Sequence, residues 1–238
     1  MRKLKLQMQQ SVDGFVGGPN GEMEFMEWNW DEPLKDYVNR LHDPVDLIVM
    51  GKNLAQGFIP YWEKVAADPK DPQVEFGKRM HETQKMVFSR TLKETPTEWK
   101  NTSLAKSPIE KEINELKKKD GGDIIVYGGV QYVSSLLNAG LIDELYLFIN
   151  PTAIGKGMSI FANLEKKQSF KLIEGRAFDC GIVLLERALN LSQLHQHNAH
   201  LQRREEITTS ESTNRLSGIL YNFDLTSDRV FLTFCMFF

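Results

Sequence analysis

Short apolar runs alternate with amphipathic stretches along the first 150 residues, and each kind keeps its own period. Leu4, Leu6 and Met8 alternate with polar residues, which predicts a first strand with those three on one face, ending at Ser11-Val12-Asp13-Gly14. The stretch GFVGGPNGEMEF that follows is too rich in glycine to hold a helix or a strand. DEPLKDYVNRL predicts a helix, because Pro33 suits a first turn and Leu34, Tyr37, Val38 and Leu41 share a face. Val45 to Met50 is a continuous apolar strand running into Gly51-Lys52-Asn53. Gly57 to Met80 carries Pro60, Pro69 and Pro72 and reads as irregular, with a short helix near its end. Lys85 to Phe88 predicts another short strand, ending at Ser89-Arg90.

In SPIEKEINELKKKDGG, Ser107 is a natural N-cap, Pro108 fits the first helical position and Glu110 completes a capping box. Ile109, Ile113 and Leu116 form its apolar stripe, lysines crowd its C-terminal end and Gly121 stops it. Ile124 to Tyr127 predicts a buried strand, which turns through Gly128-Gly129 into a helix from Val130 to Ala139; Glu144 to Ile149 is the next strand. Strands and helices alternating at these intervals imply an α/β fold of three layers, a mostly parallel central sheet with helices on both faces. Lys171 to Ile173 and Phe178 to Leu185 have no helix between them and predict an antiparallel C-terminal edge. Residues 1–188 read as one domain. Beyond Leu189 the alternation stops, so residues 189–238 read as an extension dispensable for catalysis, polar at first and ending in RVFLTFCMFF.

Composition narrows the class. Of 238 residues 41% are hydrophobic and 26% charged, ordinary for a soluble globular protein. With 29 basic and 32 acidic residues well mixed, net charge −3, no basic stripe is available for a phosphate backbone, so nucleic acid is not the expected partner. No apolar run approaches a membrane-spanning length, and the start lacks the apolar core of a signal peptide. The two cysteines, Cys180 and Cys235, are too few for a disulfide framework. A soluble cytoplasmic protein with a small-molecule substrate is the expectation.

Ligands of an open parallel sheet bind beyond the carboxyl ends of its strands. Three predicted strands end there in small or basic residues: Gly51-Lys52, Ser89-Arg90 and Gly128-Gly129. Alone, a glycine pair reads first as a tight turn; the three endings together point to a nucleotide, held by backbone N–H groups at a helix start and by a serine and an arginine on a phosphate. Asp13, Asp31, Glu32 and Asp36 are candidate acids, though each also suits a cap or a solvated face. AIGKGMS imitates part of a phosphate loop but lacks its first glycine, and no Gly-x-Ser-x-Gly elbow is present. His195, His197 and His200 have a metal-like spacing without a nearby carboxylate or thiolate, and no metal is expected.

SVDGFVGGPNG, DLIVMGKNLAQGF, MVFSRTL, DIIVYGGVQYVSSLLNAGLIDELYLFINPTAIGKGMSIF and FDCGIV together resemble the dihydrofolate reductase-like superfamily. The branch most resembled is the stand-alone relatives of the riboflavin-biosynthesis reductase domain, over roughly residues 1 to 188. The resemblance implies an NADPH-dependent reductase that transfers hydride to a C=N or C=O bond of a small pyrimidine, pteridine or sugar-linked substrate, as 5-amino-6-(5-phosphoribosylamino)uracil reductase does. By motif, Gly128, Gly129, Val130 and Gln131 would cradle the pyrophosphate, and Gly51 and Lys52 would lie near the cofactor phosphates. Ser89 and Arg90 would hold the 2′-phosphate, and the loop from Asp13 and Gly14 to Glu22 would cover nicotinamide and substrate. Leu54 stands where the family commonly has a threonine, and Asp31 and Glu32, after Trp28-Asn29-Trp30, lie where a dihydrofolate reductase places its proton-donating carboxylate. A dihydrofolate or pteridine reductase, or a nucleotide-binding protein without turnover, are the alternatives. The apolar stretch LYLFINPTAIGKGMSIF predicts a homodimer, since related reductases often pair through this region.

Overall fold

The first strand lies deep in the sheet and is covered on both faces, so Lys5, Gln7 and Gln10 are buried along with Leu4, Leu6 and Met8. The computed structural model describes residues 1–26 and 30–189. Eight strands run in the order β4-β3-β2-β5-β1-β6-β8-β7. They are β1 (Leu4–Ser11), β2 (Val45–Gly51), β3 (Gln84–Phe88), β4 (Thr102–Leu104), β5 (Asp123–Val126), β6 (Glu144–Asn150), β7 (Phe170–Ala177) and β8 (Val183–Leu189). The first six are parallel, while β8 runs antiparallel to β6 and to β7. The expected α/β class, parallel sheet and antiparallel edge are all present.

Each face carries its own core. On one, α1 (Glu32–His42) and α2 (Lys52–Ala67) bury Leu34, Val38, Phe58 and Trp62 against Ile48, Ile125 and Phe148. On the other, α4 (Ile109–Lys118) and α5 (Val130–Asn138) bury Ile113, Leu116, Val133 and Leu137 against Leu6, Val49 and Val126. Among the described residues no helix is long and apolar enough to cross a membrane.

Two expectations are corrected. The proline-bearing segment is not irregular: it forms α2 with Pro60 inside, then α3 (Val74–Glu82). An internal proline costs about 3 kcal/mol. Leu54, Ala55, Phe58, Ile59, Trp62 and Val65 are all buried along α2, the larger ones at roughly 1.5–3 kcal/mol each, and Pro60 itself faces water. Packing outweighs the local penalty. Ser107 is not the N-cap of α4, and Glu110 closes no box with it; Pro108 is extended (φ −51°, ψ 151°) and occupies the cap position. Glu112 reaches back instead, accepting from the Lys106 and Ser107 amides at 3.1 and 2.8 Å. The short strand β4 was not anticipated, since Thr-Ser-Leu holds a single apolar residue and is too short to show a period. Residues 190–238, with the expected extension, Cys235 and the three histidines, lie outside the described residues, as do Trp28 and Asn29.

His42 closes α1 inside the core, its Nδ1 at 2.7 Å from the Val38 carbonyl and its Nε2 at 2.6 Å from the Tyr127 hydroxyl, which also reaches Gln7. Burial pushes its pKa from 6.5 down to about 4. The unfolded chain therefore binds a proton that the folded chain refuses. Stability supplied by neutral His42 is complete above about pH 6.5 and is lost as pH falls toward 4, with up to one proton taken up per molecule unfolded. Urea midpoints measured from pH 7 to 4.5 should drop, and more gently in His42→Phe; parallel pH profiles would show that another group governs the loss.

Candidate functional site

Strand order brings the three predicted endings together. In the parallel run β3-β2-β5, Gly51 is in register with Phe88 and Val49 with Val126, so Gly51-Lys52, Ser89-Arg90 and Tyr127-Gly128-Gly129 leave the same edge side by side. Gly51 is the N-cap of α2 and Gly129 the N-cap of α5; neither helix has a side-chain cap or an acidic residue in its first turn. Two sets of orphan N–H groups thus open onto one edge, each with a partial positive charge. Lys52 adds its charge there and donates from Nζ to the Thr91 hydroxyl at 3.1 Å, tying the β2 ending to the loop after β3. Ser89 Oγ accepts from the Thr91 and Leu92 amides at 3.1 and 2.9 Å, while Arg90 is exposed.

The glycines differ in what demands them. A Cβ on Gly128 would lie 2.8 Å from Cδ1 of Tyr132, so packing alone requires glycine there. Gly51 (φ −79°, ψ 155°) and Gly129 (φ −69°, ψ 161°) have ordinary extended backbone that any residue adopts. A Cβ on Gly51 would make only normal contact, 3.6 Å from Tyr132. The fold's own conformation asks for glycine at neither N-cap. Val130 opens α5, and Gln131 is exposed in its first turn.

The loop after β1 is latched to the loop after β6. Asp13 accepts from the Ser11 hydroxyl at 2.6 Å and from the Gly155 amide at 2.7 Å, bonds that hold its carboxyl below the usual value against its desolvation. Val16 and Gly17 pair with Met158, and a Cβ on Gly157 would fall 2.3 Å from the Gly17 carbonyl oxygen. The IGKG stretch is therefore the packing partner of the glycine-rich loop. Gly14 makes the turn at φ +85°.

Asp31 and Glu32 open α1 but are differently engaged. Desolvation acts to raise the Asp31 pKa, yet the Leu34, Cys180 and Asp179 amides outweigh it and hold the carboxyl below its usual value. Asp31 is the helix N-cap, 2.9 Å from the Leu34 amide, and joins α1 to the β7–β8 turn through Cys180 at 3.1 Å. Glu32 is solvated and pairs with Lys35 at 2.8 Å. Asp31 is therefore held as the carboxylate, with no proton to give up at neutral pH. Leu54 is buried in the core at the start of α2.

The sequence reading missed three residues around this edge. Tyr132 lies against Gly51 and Gly128, and its buried hydroxyl has no hydrogen-bond partner. Gln9 on β1 and Asn150 on β6 meet at 2.9 Å on the α1 side of the sheet. The available signal was LQMQQS itself, because glutamines in a strand covered on both faces need partners. A groove of about 450 Å³ between α1 and α3, lined by Asn39, Phe76, Arg79 and Thr83 among others, lies near the start of β3, at the opposite edge from these residues. Among the described residues no cluster of three or more His, Cys, Asp or Glu could hold a metal.

Comparison with known proteins agrees with this architecture. The family model for the RibD C-terminal domain matches residues 2–184. The chain is 32% identical over 185 residues to the uncharacterized protein YyaP of Bacillus subtilis, covering 76% of this chain and 92% of that one. It is 26% identical over 165 residues to the riboflavin biosynthesis protein RibD of Corynebacterium ammoniagenes, covering 67% of this chain but only 46% of that longer protein. The fold is shared with a putative riboflavin biosynthesis protein from Shewanella sp. PV-4, at TM-score 0.59 and 21% identity over 79% of this chain and 99% of that one. The Thermotoga maritima diaminohydroxyphosphoribosylaminopyrimidine deaminase/5-amino-6-(5-phosphoribosylamino)uracil reductase shares it too, at TM-score 0.55 and 18% identity over 79% and 57%. A match spanning residues 2–184 takes in the latched loop and all three strand endings, and the chain belongs to the RibD C-terminal domain family.

Proposed function

We propose that this protein is an NADPH-dependent reductase that transfers hydride to a C=N or C=O bond of a small pyrimidine, pteridine or sugar-linked substrate. The observation that carries the reading is the pair of glycine N-caps, Gly51 and Gly129, which open two helices at adjacent strand ends where the fold's conformation requires glycine at neither. A missing side chain at a helix start admits an anion against the N–H groups. The Gly128–Gln131 turn would hold the pyrophosphate, Lys52 would neutralise it, and Ser89 and Arg90 would grip the 2′-phosphate. When bound, NADPH supplies the hydride.

The chain supplies position and dryness. The Asp13 latch fixes the glycine-rich loop beside the ends of β1 and β6. Trp30, Leu54 and Phe148 are packed together in the apolar core on the α1 face. For the pteridine-reductase alternative, Asp31 is a poor proton donor, since amides already engage its carboxylate. Pairing of two copies through residues 145–161 draws little support from that stretch, because Leu145, Tyr146, Leu147, Phe148 and Ile160 are buried in the chain's own core.

Fluorescence titration should show NADPH binding by the parent chain and severalfold weaker binding of both NADPH and NADH by Gly129→Val, whose branched side chain would stand between ligand and helix. Unchanged affinity in Gly129→Val would remove the close-approach role of this turn, and an absence of NADPH binding by the parent would remove the whole reading.

A further inference from the structure

Lys52, Ser89 and Thr91 meet where β2 and β3 leave the sheet, and the way they share protons decides which hydroxyl faces outward. Ser89 Oγ accepts from the Thr91 amide at 3.1 Å and from the Leu92 amide at 2.9 Å, closing a turn after β3. A hydroxyl has two lone pairs and one proton, so both lone pairs of Ser89 are used inside that turn. Only its proton is left to give, and Thr91 Oγ1 lies 3.4 Å away to receive it. Thr91 Oγ1 also accepts from Lys52 Nζ at 3.1 Å, in a direction fixed by an ammonium that can only donate. With Lys52 on one lone pair and Ser89 on the other, Thr91 still holds its own proton. Its side chain is exposed, so that proton is directed to solvent or to a ligand.

We infer that Thr91 Oγ1, rather than Ser89 Oγ, is the hydroxyl that donates to the 2′-phosphate of the cofactor, with Ser89 a positioning residue that acts through it. The inference rests on the reductase reading above and adds a residue that sets the choice between NADPH and NADH. Three features favour an anion at this hydroxyl. It is the one member of the trio with a proton to spare and no acceptor within the turn. The Lys52 ammonium touches it, and the exposed Arg90 stands between Ser89 and Thr91 in the chain, so positive charge surrounds it. Accepting from a cation polarises the hydroxyl and strengthens the bond it gives. A phosphate oxygen gains from such a donor as a charge-assisted partner, whereas the neutral 2′-hydroxyl of NADH, exposed to water, gains little.

The test titrates NADPH and NADH against the full chain and three variants. Thr91→Val keeps the shape of the side chain and removes the donor, Thr91→Ser keeps the donor, and Ser89→Ala removes the support. Thr91→Val should weaken NADPH about tenfold and leave NADH close to the parent value. Thr91→Ser should restore NADPH binding, and Ser89→Ala should cost NADPH less than Thr91→Val does. Adenosine 2′-monophosphate and adenosine 5′-monophosphate, used as competing fragments, should separate in the same way, with Thr91→Val weakening only the first. Melting of Thr91→Val should match the parent, because the side chain is exposed. Equal losses of NADPH and NADH in Thr91→Val would mean that Thr91 serves a group common to both, and would overturn the inference. So would unchanged NADPH affinity in that variant, or a larger loss in Ser89→Ala. In each of those cases NADPH binding by the parent leaves the reductase reading standing. A parent chain that does not bind NADPH brings down both.

Discussion

Arg90→Ala should weaken NADPH by tenfold to a hundredfold and leave NADH nearly unchanged. Arg90 follows β3, whose last residue Phe88 is in register with Gly51 at the N-cap of α2. It therefore emerges beside the helix N-terminus and beside Lys52, whose ammonium is tied to Thr91 in the same loop. Its guanidinium is exposed and suited to fork onto a phosphate. The two cofactors differ only by the 2′-phosphate, and a charge-assisted hydrogen bond is worth roughly 1.5–3 kcal/mol, which converts to the stated range. Ser89 has its hydroxyl oxygen engaged by two amides and lies 3.4 Å from the Thr91 hydroxyl, so Ser89→Ala should move the same selectivity in the same direction by less. Titrating both cofactors decides it. Equal losses for NADH and NADPH would mean that Arg90 meets a group common to both, and no loss for either would make it a solvated surface residue.

Trp62→Ala should lower stability by about 3–5 kcal/mol, the range for deleting a buried tryptophan. Trp62 is 2% exposed on α2 and packs edge-on against Phe58 at 6.1 Å and against Phe76 of α3 at 5.4 Å. It is the joint between two helices, since a Cβ on Gly77 would also come within 2.6 Å of Val65. A cavity there removes contacts whose burial offsets the penalty of Pro60 inside α2. Because a domain of this kind is stable by only about 5–15 kcal/mol, a large share of the total would be lost. Urea unfolding of the variant checks the size. A loss under about 1 kcal/mol would mean that α3 collapses onto the space and that the joint lies elsewhere.

Much of the scaffold was present in the chain's periodicity. Val45 to Met50, Ile124 to Tyr127 and Glu144 to Ile149 are apolar runs of strand length, and each appears as a strand within a residue or two. The helices of residues 31–41 and 130–139 carry a single apolar stripe that tertiary packing simply uses. Local signals failed where packing overrode them. Pro60 reads as a breaker because its penalty is local, whereas the burial that outweighs it comes from β2, β3 and α3. Ser107 reads as a cap because capping statistics know nothing of the Glu112 side chain one turn on.

The candidate site divides the same way. The amino-acid sequence by itself determined which residues stand at the ends of strands: Gly51-Lys52, Ser89-Arg90 and Gly128-Gly129 follow directly from short apolar runs, whose hydrogen-bonding needs are met by any parallel neighbour. Only the tertiary structure decided that these endings adjoin, because the order β3-β2-β5-β1 pairs segments up to 120 residues apart and no local period encodes it. It likewise turned Asp31 into a cap and Asp13 into a latch, through amides at Cys180 and Gly155 that lie far along the chain. Gln9 is the sharpest case. In isolation it is one polar residue in an alternating strand; only the pairing of β1 with β6 brings its side-chain oxygen within 2.9 Å of Asn150, 141 residues away.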